Sequence, residues 1–596
     1  MKNPETLAQL FFGAIDHFST KRAALRYKEG GQWRDITHQE LARRVQHAAL
    51  GLRELGLGPG DRVAILSESR PEWAIADLAC LTIQCTDVAV YSSLMPHQIK
   101  YLLVDSGARA IFVENRVQYD KIAEIRDQVP QLEHVIIFDT PDTEIDARAF
   151  DQLSQIGASV GVKYPTYKAD ALAIPPDALA TLIYTSGTTG DPKGVMLTHR
   201  NLTSNALAAL QVLPVGPDDV CLSLLPLSHS FERNAGFYVM MHAGVTINYS
   251  EGMDAVQHNL LEVKPTVVLA VPRLFEKMYA RVLEKALSGG VVKKRIFMWA
   301  RRTADRWADR KLAKKPVPAG LTLSYSLANR LVFSKLKAAT GNRLRFFVSG
   351  GAPLSPEIAK FFYAAGLPVL EGYGLTETSP VISVTPLDAP RIGTVGLPLP
   401  GQEVRIAPDG EILTRGPNVM SGYYNKPEQT AKAIDGDGWF YTGDIGELDE
   451  AGYLRITDRK KDIIVTAGGK NIAPQPIENR VKGSAFVSNA VIIGDKRKFT
   501  IVLVVPEIKA LAKWAHKRKL SVTDPDQILN LPDVTAKLER EVMVTLRDLA
   551  RYQMPKKVVI VEEDFTVENG MLTPSLKIKR NVIEEHYRDR INACYE

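Results

Sequence analysis

Residues 184–194 read Tyr-Thr-Ser-Gly-Thr-Thr-Gly-Asp-Pro-Lys-Gly, a run of hydroxyls and glycines closed by a lysine. Gly187, Gly190 and Gly194 permit positive φ and let backbone approach a ligand closely. Thr185, Ser186, Thr188 and Thr189 offer hydroxyl donors, and Lys193 adds a positive charge. A flexible, donor-rich loop of this kind suits a polyphosphate. It is not the G-x-x-x-x-G-K-[ST] loop, because Pro192 stands five residues after Gly187. The apolar stretch Ala180 to Tyr184 predicts a short buried strand ahead of it.

Six further blocks carry chemistry-bearing residues. They are Leu225-Pro-Leu-Ser-His-Ser-Phe231, Ser349-Gly-Gly-Ala-Pro-Leu354, Glu371-Gly-Tyr-Gly-Leu-Thr-Glu-Thr378, Tyr441-Thr-Gly-Asp444, Asp458-Arg-Lys-Lys-Asp462 and Leu572-Thr-Pro-Ser-Leu-Lys-Ile-Lys-Arg580. Together with the hydroxyl-rich loop they resemble, in order, the motifs of the adenylate-forming superfamily, which includes acyl-CoA synthetases, luciferases and peptide-synthetase adenylation domains. The resemblance spans residues from about 30 to 580.

That resemblance implies two half-reactions in one site. A carboxylic acid and ATP give acyl-AMP and pyrophosphate; a thiol then displaces AMP. The carboxylate is already anionic, so the first step needs charge neutralisation and positioning rather than a general base. By resemblance, Glu377 is a Mg²⁺ ligand with Thr185 beside it. Thr376 meets the α-phosphate, Tyr373 stacks on adenine between Gly372 and Gly374, and Gly350, Gly351 and Ala352 form the purine slot. Asp444 accepts from the ribose hydroxyls, with Arg459 and Ile456 as further nucleotide contacts. Lys577 is the catalytic lysine of the first half-reaction, with Lys579 two residues away as a competitor. Lys461 takes the hinge position, and Gly468 and Gly469 lie where the pantetheine of coenzyme A passes. Read without the resemblance, Glu377 is equally a capping acid and Asp444 a turn residue.

The elements that must position these groups follow from periodicity. Leu41, Val45, Ala48, Ala49 and Leu52 share one helical face, and Val63–Leu66, Ala110–Val113, Val135–Phe138, Val267–Val271 and Phe346–Val348 read as short buried strands. The alternation predicts an α/β fold with largely parallel sheets. A turn-rich β subdomain follows over about 392–458. The expected organisation is an N-terminal adenylation domain over 1–458, made of two α/β subdomains plus that β subdomain, and a smaller mobile α+β C-terminal domain over 459–596.

Composition is that of an ordinary globular protein, 45% apolar and 24% charged. The start Met1-Lys-Asn-Pro-Glu-Thr lacks a secretory pattern, and four scattered cysteines suit neither a disulfide framework nor a zinc site. The expected setting is cytoplasmic, with peripheral attachment to the inner face of a membrane as the alternative. The net charge of +6 is concentrated: 13 Lys/Arg against three acids lie between Lys277 and Lys315. This stretch opens an insertion over about 277–342. Val291, Ile296, Phe297, Trp299, Trp307 and Leu312 interleave with the basic residues, which suits either an anionic membrane surface or a helical excursion packed on the protein. Nothing else supports a nucleic-acid partner.

The blocks around Pro226–Arg233 and Val271–Lys277, with the insertion, resemble long-chain acyl-CoA synthetases. His229 and Phe231 then flank the carboxylate end of an acyl tunnel. At about 0.8 kcal/mol per buried methylene, a chain of roughly 14–16 methylenes gains on the order of 10 kcal/mol before ordering costs, which favours an enclosed tunnel. A long-chain fatty acid, ATP and coenzyme A are the expected substrates. The alternatives are an acyl-AMP ligase that loads an acyl carrier protein, and a nucleotide sensor on a disabled scaffold.

Overall fold

The computed structural model describes residues 3–140, 145–185, 191–288, 290–467, 470–518, 520, 525–551, 553–573 and 578–596. Two large sheets, both parallel through their centres, organise the first 400 residues. In one, the strands Leu179–Thr185, Thr86–Val90, Arg62–Leu66, Ala110–Val113 and His134–Ile137 run parallel in that spatial order. The strands Lys193–Thr198 and Gly422–Tyr423 add antiparallel to its edge. The other sheet sets Val369–Gly374, Phe346–Ser349, Val267–Ala270, Val220–Ser223, Thr246–Tyr249 and Leu25–Glu29 in parallel order. Its central strands Val267–Ala270 and Phe346–Ser349 are buried throughout, as expected of parallel strands covered on both faces.

Helices over these sheets pack on one another through small residues. The helix His38–Glu54 starts at Thr37, whose hydroxyl accepts from the Glu40 amide at 3.1 Å, and buries Leu41, Val45, Ala48, Ala49 and Leu52. A Cβ on Gly157 would lie 1.8 Å from the His47 carbonyl, so glycine alone permits the contact between this helix and Phe150–Ser159.

A four-stranded antiparallel sheet follows, ordered Glu403–Ile406, Glu411–Arg415, Phe440–Leu448 and Leu454–Arg459. Its last strand runs through Arg459, one residue past the expected division after 458. Lys460 then pins the chain to that sheet by pairing with Asp409 and Glu411, each at 2.7 Å. The remaining chain forms its own core on the strands Val487–Ile493, Ile501–Pro506 and Val558–Ile560 with their flanking helices.

The basic insertion is helical: Pro272–Ser288, Val291–Leu312 and Ala319–Ala328. Phe297, Ala300, Thr303, Ala304 and Ala308 are buried, and Trp307 stacks on Tyr325 with ring centroids 4.1 Å apart. Arg301 pairs with Glu357. The opposite side leaves Val291, Val292, Trp299, Leu323 and Leu327 exposed. One face of the segment packs on the protein, and the other is apolar, basic and open. Among the described residues no helix is long and apolar enough to cross a membrane.

The layers are joined by a fully buried ion cluster. Arg233, in the wide helical turn Glu232–Tyr238, donates to Asp87 on one sheet's strand and to Asp77 on the helix beneath it. Its Nη1 reaches Thr181 Oγ1 at 2.8 Å, its Nε reaches Tyr238 Oη at 2.8 Å, and Tyr238 donates to Asp77 at 2.8 Å. Removing the guanidinium would strand two buried carboxylates, a loss of about 3–5 kcal/mol. Arg233→Ala is therefore expected to lower the urea midpoint sharply or abolish soluble expression, whereas exchange of the exposed Arg302 is expected to leave the midpoint unchanged. Equal midpoints for both variants would contradict this account of the cluster.

Candidate active site

The two glycine-bearing blocks meet because their strands are neighbours. Ser349 pairs in register with Glu371, so Gly350, Gly351 and Ala352 leave one strand beside Gly372, Tyr373 and Gly374 on the next. Both lie at carboxyl ends of parallel strands, where open α/β sheets bind ligands. Gly351 holds φ +81°, and with Ala352 it faces solvent. A Cβ on Gly350 would lie 3.0 Å from the Phe231 ring, which places Phe231 against this slot. Gly374 is sterically obligatory, since a Cβ there would sit 1.8 Å from the Pro380 carbonyl. At Gly372 the nearest atom would be 3.8 Å away.

Asp444 is the hub of the second cluster. Tyr373 Oη donates to its Oδ2 at 2.7 Å, and Arg459 Nε donates to its Oδ1 at 3.2 Å. Asp444 and Arg459 are paired partners on adjacent strands, so the β subdomain delivers both. The Tyr373 ring packs with Ile382, Ile412 and Leu454, and Ile456 lies against the same group. Burial and the nearby Asp444 raise the phenol well above its ordinary pKa, so it stays a hydrogen-bond donor.

Lys193 and Glu377 come together through Tyr423, which the sequence reading does not single out. The Lys193 ammonium sits 4.7 Å from the centre of the Tyr423 ring, and Tyr423 Oη donates to Glu377 Oε1 at 2.9 Å. Tyr423 is held there by pairing with Val195. Lys193 has a lowered pKa, first from burial and then from Lys461, with Glu377 opposing both. Lys461 therefore lies within electrostatic reach of the loop lysine. Thr185 is the in-register partner of Lys193. Thr376 Oγ1 lies 3.3 Å from Ser230 Oγ, another residue outside the expected set. His229 Nδ1 accepts from the Phe231 amide at 3.1 Å. Ser186, Gly187, Thr188, Thr189, Gly190, Gly468, Gly469 and Lys577 lie outside the described residues.

Three sheets thus contribute to the candidate site: one brings Lys193 and Tyr423, one the glycine-bearing strand ends, and one Asp444 with Arg459. The fold is that of the adenylate-forming enzymes. The model of the AMP-binding enzyme family matches residues 13–424, and that of the AMP-binding enzyme C-terminal domain matches 461–596. The chain belongs to the AMP-binding enzyme family. It is 38% identical over 570 residues to the long-chain-fatty-acid–CoA ligase FadD15 of Mycobacterium tuberculosis, covering 95% of this chain and 93% of that one. It is 32% identical to the human long-chain-fatty-acid–CoA ligase 6, covering 95% and 83%. The ATP-bound structure of MatB from Rhodopseudomonas palustris superposes with a TM-score of 0.69 at 26% identity, covering 98% and 99%.

Glycine requirements separate the two neighbouring positions. Overpacking at Gly374 is expected to cost about 1–3 kcal/mol or more and to distort the turn that carries Thr376 and Glu377. Gly374→Ala should lower the thermal midpoint and weaken ATP binding at least about tenfold, or 1.4 kcal/mol. Gly372→Ala should change neither the midpoint nor the fold. Thermal unfolding with and without ATP checks both.

Proposed function

We propose that this chain ligates a long-chain fatty acid to coenzyme A through an acyl-AMP intermediate, releasing AMP and pyrophosphate. The observation that carries the reading is the contact of Tyr423 with both Lys193 and Glu377, in a fold that also assembles the Tyr373–Asp444–Arg459 cluster. It is read in a chain whose curated relatives at 31–38% identity bear the long-chain acyl-CoA ligase name.

In this reading the chain contributes positioning and charge. Lys193 and the hydroxyls beside it neutralise the phosphates, so the fatty-acid carboxylate approaches the α-phosphorus without repulsion. Asp444 accepts from the ribose and Tyr373 lines the purine, while Gly350, Gly351 and Ala352 leave the slot open. Phe231 and His229 stand where the acid's head must pass, and Lys577 steadies the charge that develops between carboxylate and phosphate. The division into a unit over 1–458 and a unit over 459–596, with Lys461 at the joint, belongs to the same proposal. So does passage of the thiol by Gly468 and Gly469.

Magnesium fits the donors present. The Glu377 carboxylate, with Oε1 already fixed by the Tyr423 hydroxyl, and the Thr185 hydroxyl are hard oxygen donors. They leave room for the phosphates and waters that this ion prefers. When bound, it would neutralise phosphate charge alongside Lys193.

The exposed face of the insertion supports a peripheral lipid contact. Val291, Val292, Trp299, Leu323 and Leu327 present apolar surface beside the exposed Lys293, Lys294, Arg295, Arg302 and Arg306. Apolar insertion plus attraction to anionic headgroups is the physics of such surfaces.

Two experiments test these readings. ATP, magnesium and palmitate should yield AMP and, with free coenzyme A, the thioester; thioester formation only on an acyl carrier protein would redirect the assignment. Within that assay, Lys577→Ala should abolish acyl-AMP formation yet largely spare thioester formation from supplied acyl-AMP, and equal loss of both steps would count against its role. Sedimentation with anionic vesicles should fall with salt and with Lys294→Glu, Arg295→Glu and Arg302→Glu combined. Binding unchanged by that charge reversal would remove the lipid contact. Arg301 is unsuitable for such a test because it is tied to Glu357.

A further inference from the structure

The end of the strand Leu454–Arg459 faces two ways. Successive residues of a strand project to opposite faces. Arg459 meets Asp444, as described. Asp458, the residue before it, is buried. Its Oδ1 accepts from the Arg459 amide at 2.7 Å, and its Oδ2 has no hydrogen-bond partner among the described residues.

Within electrostatic reach of Asp458, though not hydrogen-bonded to it, is a buried ion pair of the C-terminal domain. The helix Pro474–Lys482 packs on this strand and carries Glu478, which is buried and accepts from Arg580 at 2.7 Å and from the Ile492 amide at 2.8 Å. Arg580 opens the helix Arg580–His586, and its Nε likewise lacks a partner among the described residues. Buried polar groups without partners are rare, and each demands a reason. Here an acceptor on one domain and a donor on the next are both left over at the same joint. Burial pushes the Asp458 carboxyl up to about 7; the Arg459 amide pulls it down, Asp462 and Glu478 push it up, and Arg580 pulls it down.

We propose that Asp458 is a positioning residue for the nucleotide site: through Arg580 it registers the C-terminal domain on one face of the strand and, through its neighbour Arg459, transmits that docking to Asp444 on the other. The proposal rests on the adenylating function put forward above. It assigns to the pair 458 and 459 a coupling that neither residue performs alone. An ionised Asp458 engages the guanidinium and a protonated one does not. Engagement is therefore present above about pH 7 and lost as pH falls through it.

The test uses the full chain and fatty-acid-dependent exchange of labelled pyrophosphate into ATP. Asp458→Asn keeps the shape and removes the charge. It should raise KM for ATP about fivefold at pH 8, leave kcat within about twofold, and leave the thermal midpoint within about 2 °C, a split that mere destabilisation would not give. Wild-type KM should rise as pH drops from 8 to 6, while that of Asp458→Asn stays flat. Arg580→Lys, which retains the charge, should give an intermediate KM. Adding Asp458→Asn to Arg580→Lys should raise KM by less than the product of the two single effects, since residues of one charge network are non-additive. An Asp458→Asn enzyme with wild-type KM and pH profile would overturn the coupling while leaving adenylation intact. So would fully independent effects of the two substitutions. Absence of exchange in the wild type would overturn the adenylating reading and this inference with it.

Discussion

Arg233 carries a positive charge into the dry interior, and two aspartates from a different layer meet it there. A lone buried charge is costly, so the cluster exists only when both layers are in place. Asp77 and Asp87 come from the helix and strand of one sheet, while Arg233 and Tyr238 come from the wide turn that follows a strand of the other. The relative setting of the two large sheets is thereby fixed by geometry that tolerates little slippage. The block Leu225–Phe231 leads directly into this turn. Phe231 beside Gly350 and Ser230 beside Thr376 inherit their placement from that anchored arginine.

From the anchored sheets the site assembles at strand ends. Two glycine-bearing loops leave adjacent strands, a β subdomain supplies an acidic acceptor with its arginine, and an edge strand brings a tyrosine. The packing tolerates no Cβ at Gly374, while it leaves space at Gly372. Side-chain hydrogen bonds then fix the acceptors before any ligand arrives, which limits the ordering that binding must supply.

Much of this was legible in the amino-acid order, for identifiable reasons. Parallel strands buried on both faces are uninterrupted apolar runs, so Ala110–Val113 and Phe346–Val348 could be read almost to the residue. The motif blocks named Asp444, Arg459, Tyr373 and Glu377 as neighbours of one ligand, and the fold brings the first three into hydrogen-bonded contact. Tyr423 escaped notice because its place depends on a two-residue strand pairing with a segment far away in the chain, and no local pattern encodes that. Arg233 stands in the sequence only as the end of the block Pro226–Arg233; its partners are defined by tertiary structure. The insertion divided by face, with alanines and Phe297 turned inward and Trp299 outward, a distinction that charge counting blurs.

Lys193 resting over the Tyr423 ring has a consequence for turnover. An ammonium on an aromatic face is partly stripped of water yet still compensated. Under the proposed function, an arriving phosphate group would replace a soft contact rather than a full hydration shell, and on its departure the lysine would return to a seat already built for it. Capture and release of a multiply charged group are in this way brought closer in free energy. A loop that grips its anion without trapping it can be used again.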